Sequence, residues 1–451
     1  YTDMFAAVDV KGEYVGPRSR GRSGLDTETE KAFVQLFCYT RQMFASQFNL
    51  RFAWGLTQYR NEARACLFVN SGAIASHAMD LRTPAGRRGL VQLLVDWSLC
   101  ELHQLGVDPT IRYRSDLRCW QIDVHDTTDP TPADEVGIDV DDGGRAFRTV
   151  PHYVNQIYVA ADRLFGRHTR CFPATATEPV SADAALMEDV LLKDSWAYVE
   201  SAGRIVGELG EVEFHRRIRN VTQGDDADRF LPTMTCGGAV RISRGGAYTV
   251  ETTDTVLGEA LRDVLRTGPD GFRFHYAHMR MASFPIAKRL RSITSVYEMI
   301  VVAADVLDAV WFLYDKCNVL HRDLSDNNVM VQDREGGRNC GLLIDLDNAI
   351  LNTAETIDTR RIRTGTPPFL SVANIEQMGV RPALVDELEA LLYLLIWLAR
   401  SKRDRMSSAR HLSDLLEEFY NAEQHLPPDS SAQAREDAIR TNESYALLKA
   451  L

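Results

Sequence analysis

Between Val319 and Ala349 a few acid and amide side chains recur at spacings that suit chemistry on a phosphate. Asp323 ends the run Leu320-His321-Arg322-Asp323. Asn328 follows five residues later, and Asp345 ends the apolar run Leu342-Leu343-Ile344. Between them Val329-Met330-Val331 reads as a strand and Glu335-Gly336-Gly337-Arg338 as the turn into a second strand. Such a hairpin would hold the polar groups rigidly at its ends. The chemistry that wants this layout is phosphoryl transfer. One carboxylate orients or deprotonates an attacking hydroxyl, while an amide and a second carboxylate hold Mg²⁺ on nucleotide phosphates.

The flanking segments read as a helical scaffold for that hairpin. From Val296 to Lys316, Ile300, Ala303, Ala304, Leu307, Val310, Trp311 and Tyr314 recur at helical spacing and feed directly into His321. Thr353, Thr356 and Thr359 follow Asp345, then Arg363-Thr364-Gly365-Thr366-Pro367-Pro368-Phe369. Leu384–Leu398 is apolar almost all round and predicts a buried central helix. The remainder, to Leu451, reads as helical around Pro427-Pro428.

Residues 146–283 read as a nucleotide lobe. Val154–Val159 predicts a strand, with the turn Leu164-Phe165-Gly166-Arg167-His168-Thr169 after it, and Gly166 could let backbone approach a phosphate. Val190-Leu191-Leu192-Lys193 ends a β-type run with a cation. Glu211, followed by Phe214 and Ile218, places a carboxylate beside an apolar helix face, with Glu208 and Glu213 as rivals. A Lys in this place pairs the α and β phosphates and is held by a helix Glu in kinases. Gly237–Thr249 reads as a hairpin around Ser243-Arg244-Gly245-Gly246, and Phe274–Met281 as the strand entering a hinge.

Residues 1–122 show an α/β pattern. A helix is predicted from Glu28 to Gln47 with Phe33, Leu36, Phe37, Tyr39 and Phe44 along it. Strands are predicted over Leu50–Tyr59 and Ala65–Val69, and a second helix over Gly89–Leu105. Asp9-x-Lys11 followed by Gln35-x-x-x-Tyr39 loosely resembles the core of PD-(D/E)xK nucleases, in which paired carboxylates hold Mg²⁺ and the Lys positions a water. The spacing to Asp3 is too short for the second acid that such a site needs. Asp123–Arg145, rich in Asp, Thr, Pro and Gly, reads as an exposed acidic linker. Its Asp139, Asp141 and Asp142 fit a solvated loop better than a calcium loop, because the closing Glu is missing.

Composition sets the frame. The chain has 451 residues, 45 % hydrophobic and 25 % charged, with net charge −12. This is an ordinary globular balance with length for two or three cores. The acidic balance argues against broad nucleic-acid or membrane-surface binding, leaving nucleic acid only to a local patch on the N-terminal domain. No apolar run is long enough to span a bilayer. The eight scattered cysteines, with no C-x-x-C, favour free thiols in a reducing, intracellular compartment. The sequence opens at Tyr1 rather than Met, so the true N-terminus is expected to be missing, and a targeting segment could have been lost with it.

The order His-Arg-Asp-x-x-x-x-Asn, a strand, then an apolar residue and Asp resembles the catalytic and metal loops of protein kinases. The whole chain resembles the fungal-type protein kinases. The residues that carry this are Leu164–Thr169, Leu192-Lys193-Asp194-Ser195-Trp196, Leu320–Ser325 with Asn328, Leu343-Ile344-Asp345-Leu346-Asp347, Thr364-Gly365-Thr366 and Glu387-Leu388-Glu389, together with Gln35, Tyr39 and Gln47–Phe52 upstream. The resemblance implies an α+β, two-lobed kinase fold preceded by a small α/β domain: residues 1–122, an acidic linker at 123–145, an antiparallel-sheet lobe at 146–283 and a helical lobe at 284–451. It implies a protein kinase using ATP and Mg²⁺ in the cleft, with proteins as substrates. Asp323 would be the catalytic carboxylate and Arg322 would bind a phosphorylated or acidic activation segment. Asn328 and Asp345 would hold Mg²⁺, Lys193 and Glu211 would form the phosphate-anchoring pair, and Gly166 would sit over the phosphates.

Four departures from ordinary protein kinases bear on activity. Ser325 stands where Ser/Thr kinases place a Lys, and Asp347 where they place a Gly. Ala373 falls where a loop-locking Glu is usual. Glu387 stands for the Asp that opens the buried helix, unless Asp386 serves by a one-residue shift. The leading expectation is a Ser/Thr-type protein kinase, with autophosphorylation as an accompanying expectation. Competing readings are a slow kinase or pseudokinase acting as a nucleotide-binding module, phosphoryl transfer to a small molecule, and a nuclease in the N-terminal domain.

Overall fold

The computed structural model describes residues 5–8, 27–127, 138–159, 163–182, 184–199, 210–221, 226–266, 275–333, 339–352, 365–376 and 382–402. The chain forms two compact units. The first comprises Tyr1–Glu208 and Met234–Ser283, the second Leu209–Thr233 and Phe284–Leu451. Among the described residues no helix is long and apolar enough to cross a membrane.

In the first unit, strands Phe5–Val8, Gly72–Ser76, Glu62–Val69 and Ala53–Tyr59 lie in that order in an antiparallel sheet. Helix α1 (Thr27–Ser46) packs on it through Phe33 and Phe44, against Phe68 and Ala75. The Arg60-Asn61-Glu62 turn falls where expected, with Arg60 at φ 53°. Helix α2 (Pro84–Leu99) starts five residues earlier than its apolar pattern suggests. Thr83 caps it by accepting from the Gly86 N–H at 3.0 Å, and Pro84 presets its first turn. A separate 3₁₀ turn, Leu102–Leu105, follows, so Gly89–Leu105 is not one helix.

A second sheet orders Ile111–Arg114, Cys119–Asp126, Ala146–Val154 and Ile138–Val140. This corrects two expectations. Residues 123–145 are not a linker throughout: Asp123–Asp126 is buried strand, and Asp141 is buried against Arg241 at 2.9 Å while accepting from the Gly143 and Arg145 N–H groups. The strand expected at Val154–Val159 instead runs over Ala146–Val154. Pro151 hides it in the sequence. Among the described residues the short strand Ile138–Val140 pairs with Ala146–Arg148 and stops short of Pro151.

A third sheet orders Arg170–Ala174, Val190–Val199, His275–Phe284 and Thr233–Ala239. The hairpin expected from Gly237 is shorter, Arg241–Arg244 with Ala247–Val250, and Gly245 and Gly246 turn it at φ 60° and 90°. Helix α4 (Thr253–Arg266) follows, with a non-helical Gly258.

Beneath the third sheet lies a buried polar network. In the strand Val190–Val199, Lys193 alternates with the buried Leu192 and Asp194. Arg280, fully buried, donates to Asp194 (2.9 Å), Asp108 (2.6 Å), Thr110 (2.6 Å) and the Asp123 carbonyl (2.9 Å). His278 bridges Asp194 (2.9 Å) and Glu251 (2.8 Å) and stacks on Trp196 at 4.7 Å. Arg51 pairs with Glu251 and donates to the His103 carbonyl at 2.7 Å. Burial disfavours a charged His278, but the carboxylates of Asp194 and Glu251 overcome it and push its pKa up to about 9. The network joins Arg51 and Asp108, from the N-terminal α/β region, to the strand that carries Lys193.

The second unit contains α3 (Glu211–Val221), α5 (Val296–Asp315), α6 (Val372–Glu376) and α7 (Leu384–Lys402) with the strand pairs Val329–Asp333 with Asn339–Leu343 and Val319–Leu320 with Ile350–Leu351, and α5 packs against Asn339–Leu343 and Val319–Leu320. Ser295 caps α5 in a reciprocal box with Glu298. The core is hydrocarbon: Phe214, Leu231, Val306, Leu313, Leu343 and Leu394 belong to one buried cluster. Gly341 lets a strand lie directly on α5, since a Cβ there would meet the Val302 carbonyl at 2.6 Å. Asp305, buried on α5, accepts from the Gly341 N–H at 2.8 Å and pairs with Arg229 at 3.1 Å.

Candidate active site

The second unit assembles most of the residues singled out from the sequence. The strand Val319–Leu320 delivers His321 into the interior, where its Nε2–H donates to the Ile344 carbonyl at 3.0 Å. Its Nδ1 accepts from the Asp323 N–H at 3.3 Å, which fixes the tautomer. The backbone turns at Arg322, in the left-handed region at φ 68°. The Arg322 N–H donates to Glu387 Oε1 at 2.7 Å. Glu387, not Asp386, therefore takes the anchoring place at the head of α7. Asp386 accepts from the Ser371 hydroxyl at 2.6 Å instead. Burial pushes the Glu387 carboxyl up to about 7, against the lowering effect of the Arg322 N–H.

Asp323 is held at three points. Asn348 Nδ2 donates to its Oδ2 at 2.9 Å and the Thr366 hydroxyl to its Oδ1 at 2.9 Å. Asn328 Nδ2 donates to its carbonyl at 2.8 Å. The Asn328 carbonyl in turn accepts from the Ile344 N–H at 2.9 Å, tying the loop that ends at Asn328 to the strand that ends before Asp345. Ser325 is buried, and its hydroxyl accepts from the Asn327 N–H at 3.3 Å.

Asp345, at φ 70°, heads the 3₁₀ turn Leu346–Asn348 and accepts from the Asp347 N–H at 3.3 Å. Glu211 Oε1 accepts from the Leu346 N–H at 3.1 Å. Carboxylate oxygens of Glu211, Asp345 and Asp347 lie within 4.8 Å of one another. These three donors are all hard oxygens, which suits Mg²⁺ rather than a thiophilic metal.

The segment after the threonines is held by α7. Val372 N–H donates to Glu389 Oε1 at 2.7 Å, and Phe369 packs edge-on to Trp397 at 6.1 Å. These contacts hold a segment in which Ala373 offers no carboxylate.

The other expected site residues lie in the first unit. Lys193 is half-buried on the strand Val190–Val199, in register with Cys171 and Met281. Gly166 has φ 110° and donates its N–H to the Asn70 carbonyl at 2.8 Å, so the turn rests on the N-terminal sheet. Of the nuclease-like residues, Asp3, Asp9 and Lys11 lie outside the described residues, as do Thr353, Thr356, Thr359 and Thr364. Gln35 donates to the Tyr39 hydroxyl at 2.7 Å on an exposed face of α1.

Sequence reasoning missed Asn348 and the bond from Thr366 to Asp323. Asn348 follows Asp345 by three residues, and the only signal was its place in the loop. Thr366 falls within Thr364-Gly365-Thr366, a motif that gives no local sign of a bond to Asp323.

No match is found among curated proteins. A solved chain described as "Structure of vaccinia related kinase 3" is similar at TM-score 0.35 and 14 % identity, over 72 % of this chain and 95 % of that one. A family model described as "Fungal protein kinase" matches residues 18–399, most of the chain and all of the loops above. The mixed α/β, kinase-like fold with antiparallel sheets is the one that this match implies, and the chain belongs to the fungal protein kinase family.

Proposed function

We propose that the chain transfers the γ-phosphate of ATP, with Mg²⁺, to serine or threonine hydroxyls of proteins, with Asp323 receiving the hydroxyl proton. The seating of Asp323 carries this reading. Both of its oxygens accept from neutral donors, Asn348 and Thr366, and each keeps a further lone pair for an incoming hydroxyl. Asn328 and Asp345 are the proposed metal ligands, supported by the all-oxygen donor set. Glu211 braces the turn that carries Asp345 through the Leu346 N–H. Lys193 is the proposed phosphate anchor, Gly166 the proposed close-approach backbone, and Arg322 the proposed partner of an acidic or phosphorylated segment. When bound, Mg-ATP supplies the phosphoryl group and neutralises charge developing on it. The Gly365-Thr366-Pro367 segment resembles the peptide-docking end of a kinase activation segment, which supports a peptide acceptor over a small molecule.

The test is incubation with Mg-ATP and a generic basic protein, read by intact mass, with Asp323→Asn in parallel. Added mass in phosphate steps on the wild type alone is the expected result. Transfer surviving in Asp323→Asn would remove Asp323 from the chemistry. The same spectra would reveal autophosphorylation, with Thr353, Thr356, Thr359 and Thr364 as the candidate acceptors.

A second reading rests on Ser325. Its buried hydroxyl is turned to the Asn327 N–H, so this position offers the γ-phosphate no cation. On that reading the chain is a slow kinase or a nucleotide-binding module. ATP would then raise the melting temperature without measurable transfer.

A further inference from the structure

We infer that Asn348 is a positioning residue for phosphoryl transfer, coupling the turn that carries Asp345 to the carboxylate of Asp323. The inference rests on the kinase reading above and deepens it. Asn348 closes the 3₁₀ turn Leu346–Asn348, whose first residue follows Asp345 directly. That turn is stiff. Leu346 within it and Ala349 just after it are buried, the Ala349 N–H donates to the Leu346 carbonyl at 3.0 Å, and the Leu346 N–H is fixed on Glu211.

From this platform Asn348 reaches back across 25 residues of chain to donate to Asp323 Oδ2 at 2.9 Å. The opposite oxygen, Oδ1, is taken by Thr366 at 2.9 Å. A carboxylate gripped on both oxygens cannot rotate about its Cβ–Cγ bond without breaking one of the two bonds. Its remaining lone pairs therefore point in fixed directions, which is what a near-attack geometry needs. Asn348 and Asp345 share one rigid turn, so any shift of that turn is transmitted to Asp323. Seating of the proposed metal carboxylate and aim of the proposed catalytic carboxylate thus become one event. The side chain of Ser325 is turned to the Asn327 N–H, so this grip comes from neutral donors on two other loops.

An amide suits the place. Alanine would leave Oδ2 without its donor. Aspartate would set a second carboxylate against Asp323.

The test measures steady-state phosphate transfer, nucleotide binding by calorimetry, and a crystal structure of the variant. Asn348→Ala is expected to lower kcat about 10- to 100-fold while the KM and Kd for ATP stay within about twofold. Asn348→Asp is expected to lose more than Asn348→Ala. On the background of Asp323→Ala, adding Asn348→Ala is expected to change the residual transfer less than about twofold, because its target is already gone. A full additional loss on that background would show a general structural role and overturn the inference. An unchanged kcat in Asn348→Ala overturns it too, as does a variant crystal structure in which the Asp323 carboxylate keeps its orientation. Absence of transfer by the wild type, or full transfer by Asp323→Asn, removes the kinase reading and the role given to Asn348 with it. The crystal structure separately reads whether Asn348 fixes Asp323.

Discussion

Around Arg280 the first unit buries Arg51, Arg170 and His278 together with Asp108, Asp194 and Glu251. Around Val306 the second unit buries Leu313, Phe214, Leu343 and Leu394. The two interiors are specified differently. Hydrocarbon packing is non-directional and tolerates exchange at roughly constant volume. A buried charge network is directional, and each member depends on all the others being in place. The first unit joins its N-terminal α/β region to the strand of Lys193 through the demanding kind of core. The second builds a rigid platform for Asp323 from the forgiving kind.

The sharpest way to break the contrast is to remove the hub. Arg280→Met takes the guanidinium from Asp108 and Asp194, leaving Asp194 to His278 and Asp108 to Thr110, and is expected to cost about 3–5 kcal/mol in urea unfolding. Adding Asp108→Asn should restore part of that loss, since one unpaired charge goes with it. Full additivity of the two changes would argue against a single network. In the second unit, Leu313→Ala should cost about 2–5 kcal/mol from transfer and cavity terms. There a second substitution that refills the volume, rather than one that removes a charge, should rescue.

Stability against pH separates the two interiors by window. His278 is raised to about 9 in the folded chain, so its contribution is complete below its ordinary value near 6.5 and is lost as pH rises through 9. Glu387 is raised to about 7, so the folded state favours its protonated form, and stability falls as pH rises from its ordinary range near 4.5 through 7. His278→Gln should flatten the upper slope and Glu387→Gln the lower one in melting temperatures taken across pH. A common window for both would show that one of these assignments is wrong. The smallest effect is expected on the surface. Asp80→Ala removes the exposed ion pair with Arg82 and should leave the melting temperature unchanged.

The same contrast explains what could be read from the sequence. Helix α1, the turn at Arg60, the hairpin ending at Asp345 and the buried helix α7 all announce themselves by periodicity or turn chemistry, which are local. The order of His321, Asp323, Asn328 and Asp345 is local as well. The network is not. Asp108 and Arg280 are 172 residues apart, and nothing near either one signals the other. Asp194 reads as one more charge after Lys193 until its strand is placed opposite Arg280. Asp141 looked solvated because its neighbours are polar, although its partner Arg241 lies a hundred residues on. Asn348 and Thr366 were invisible as partners of Asp323 for the same reason: a tertiary hydrogen bond leaves no period in the chain.

The pairing of Asp108 with Arg280 also sets an order of events during synthesis. At roughly 5–20 residues per second, a ribosome needs on the order of ten to thirty seconds to go from one to the other. Through that interval Asp108, and for much of it Asp194, waits without the guanidinium that makes its burial tolerable. The N-terminal sheet can form early, but the first unit cannot close until the strand His275–Phe284 has emerged, by which time the segment Leu209–Thr233, destined for the other unit, is already out. The nascent chain therefore spends a long stretch of its birth with an incomplete polar interior, a stage at which chaperone engagement would matter more than for the helical unit that follows.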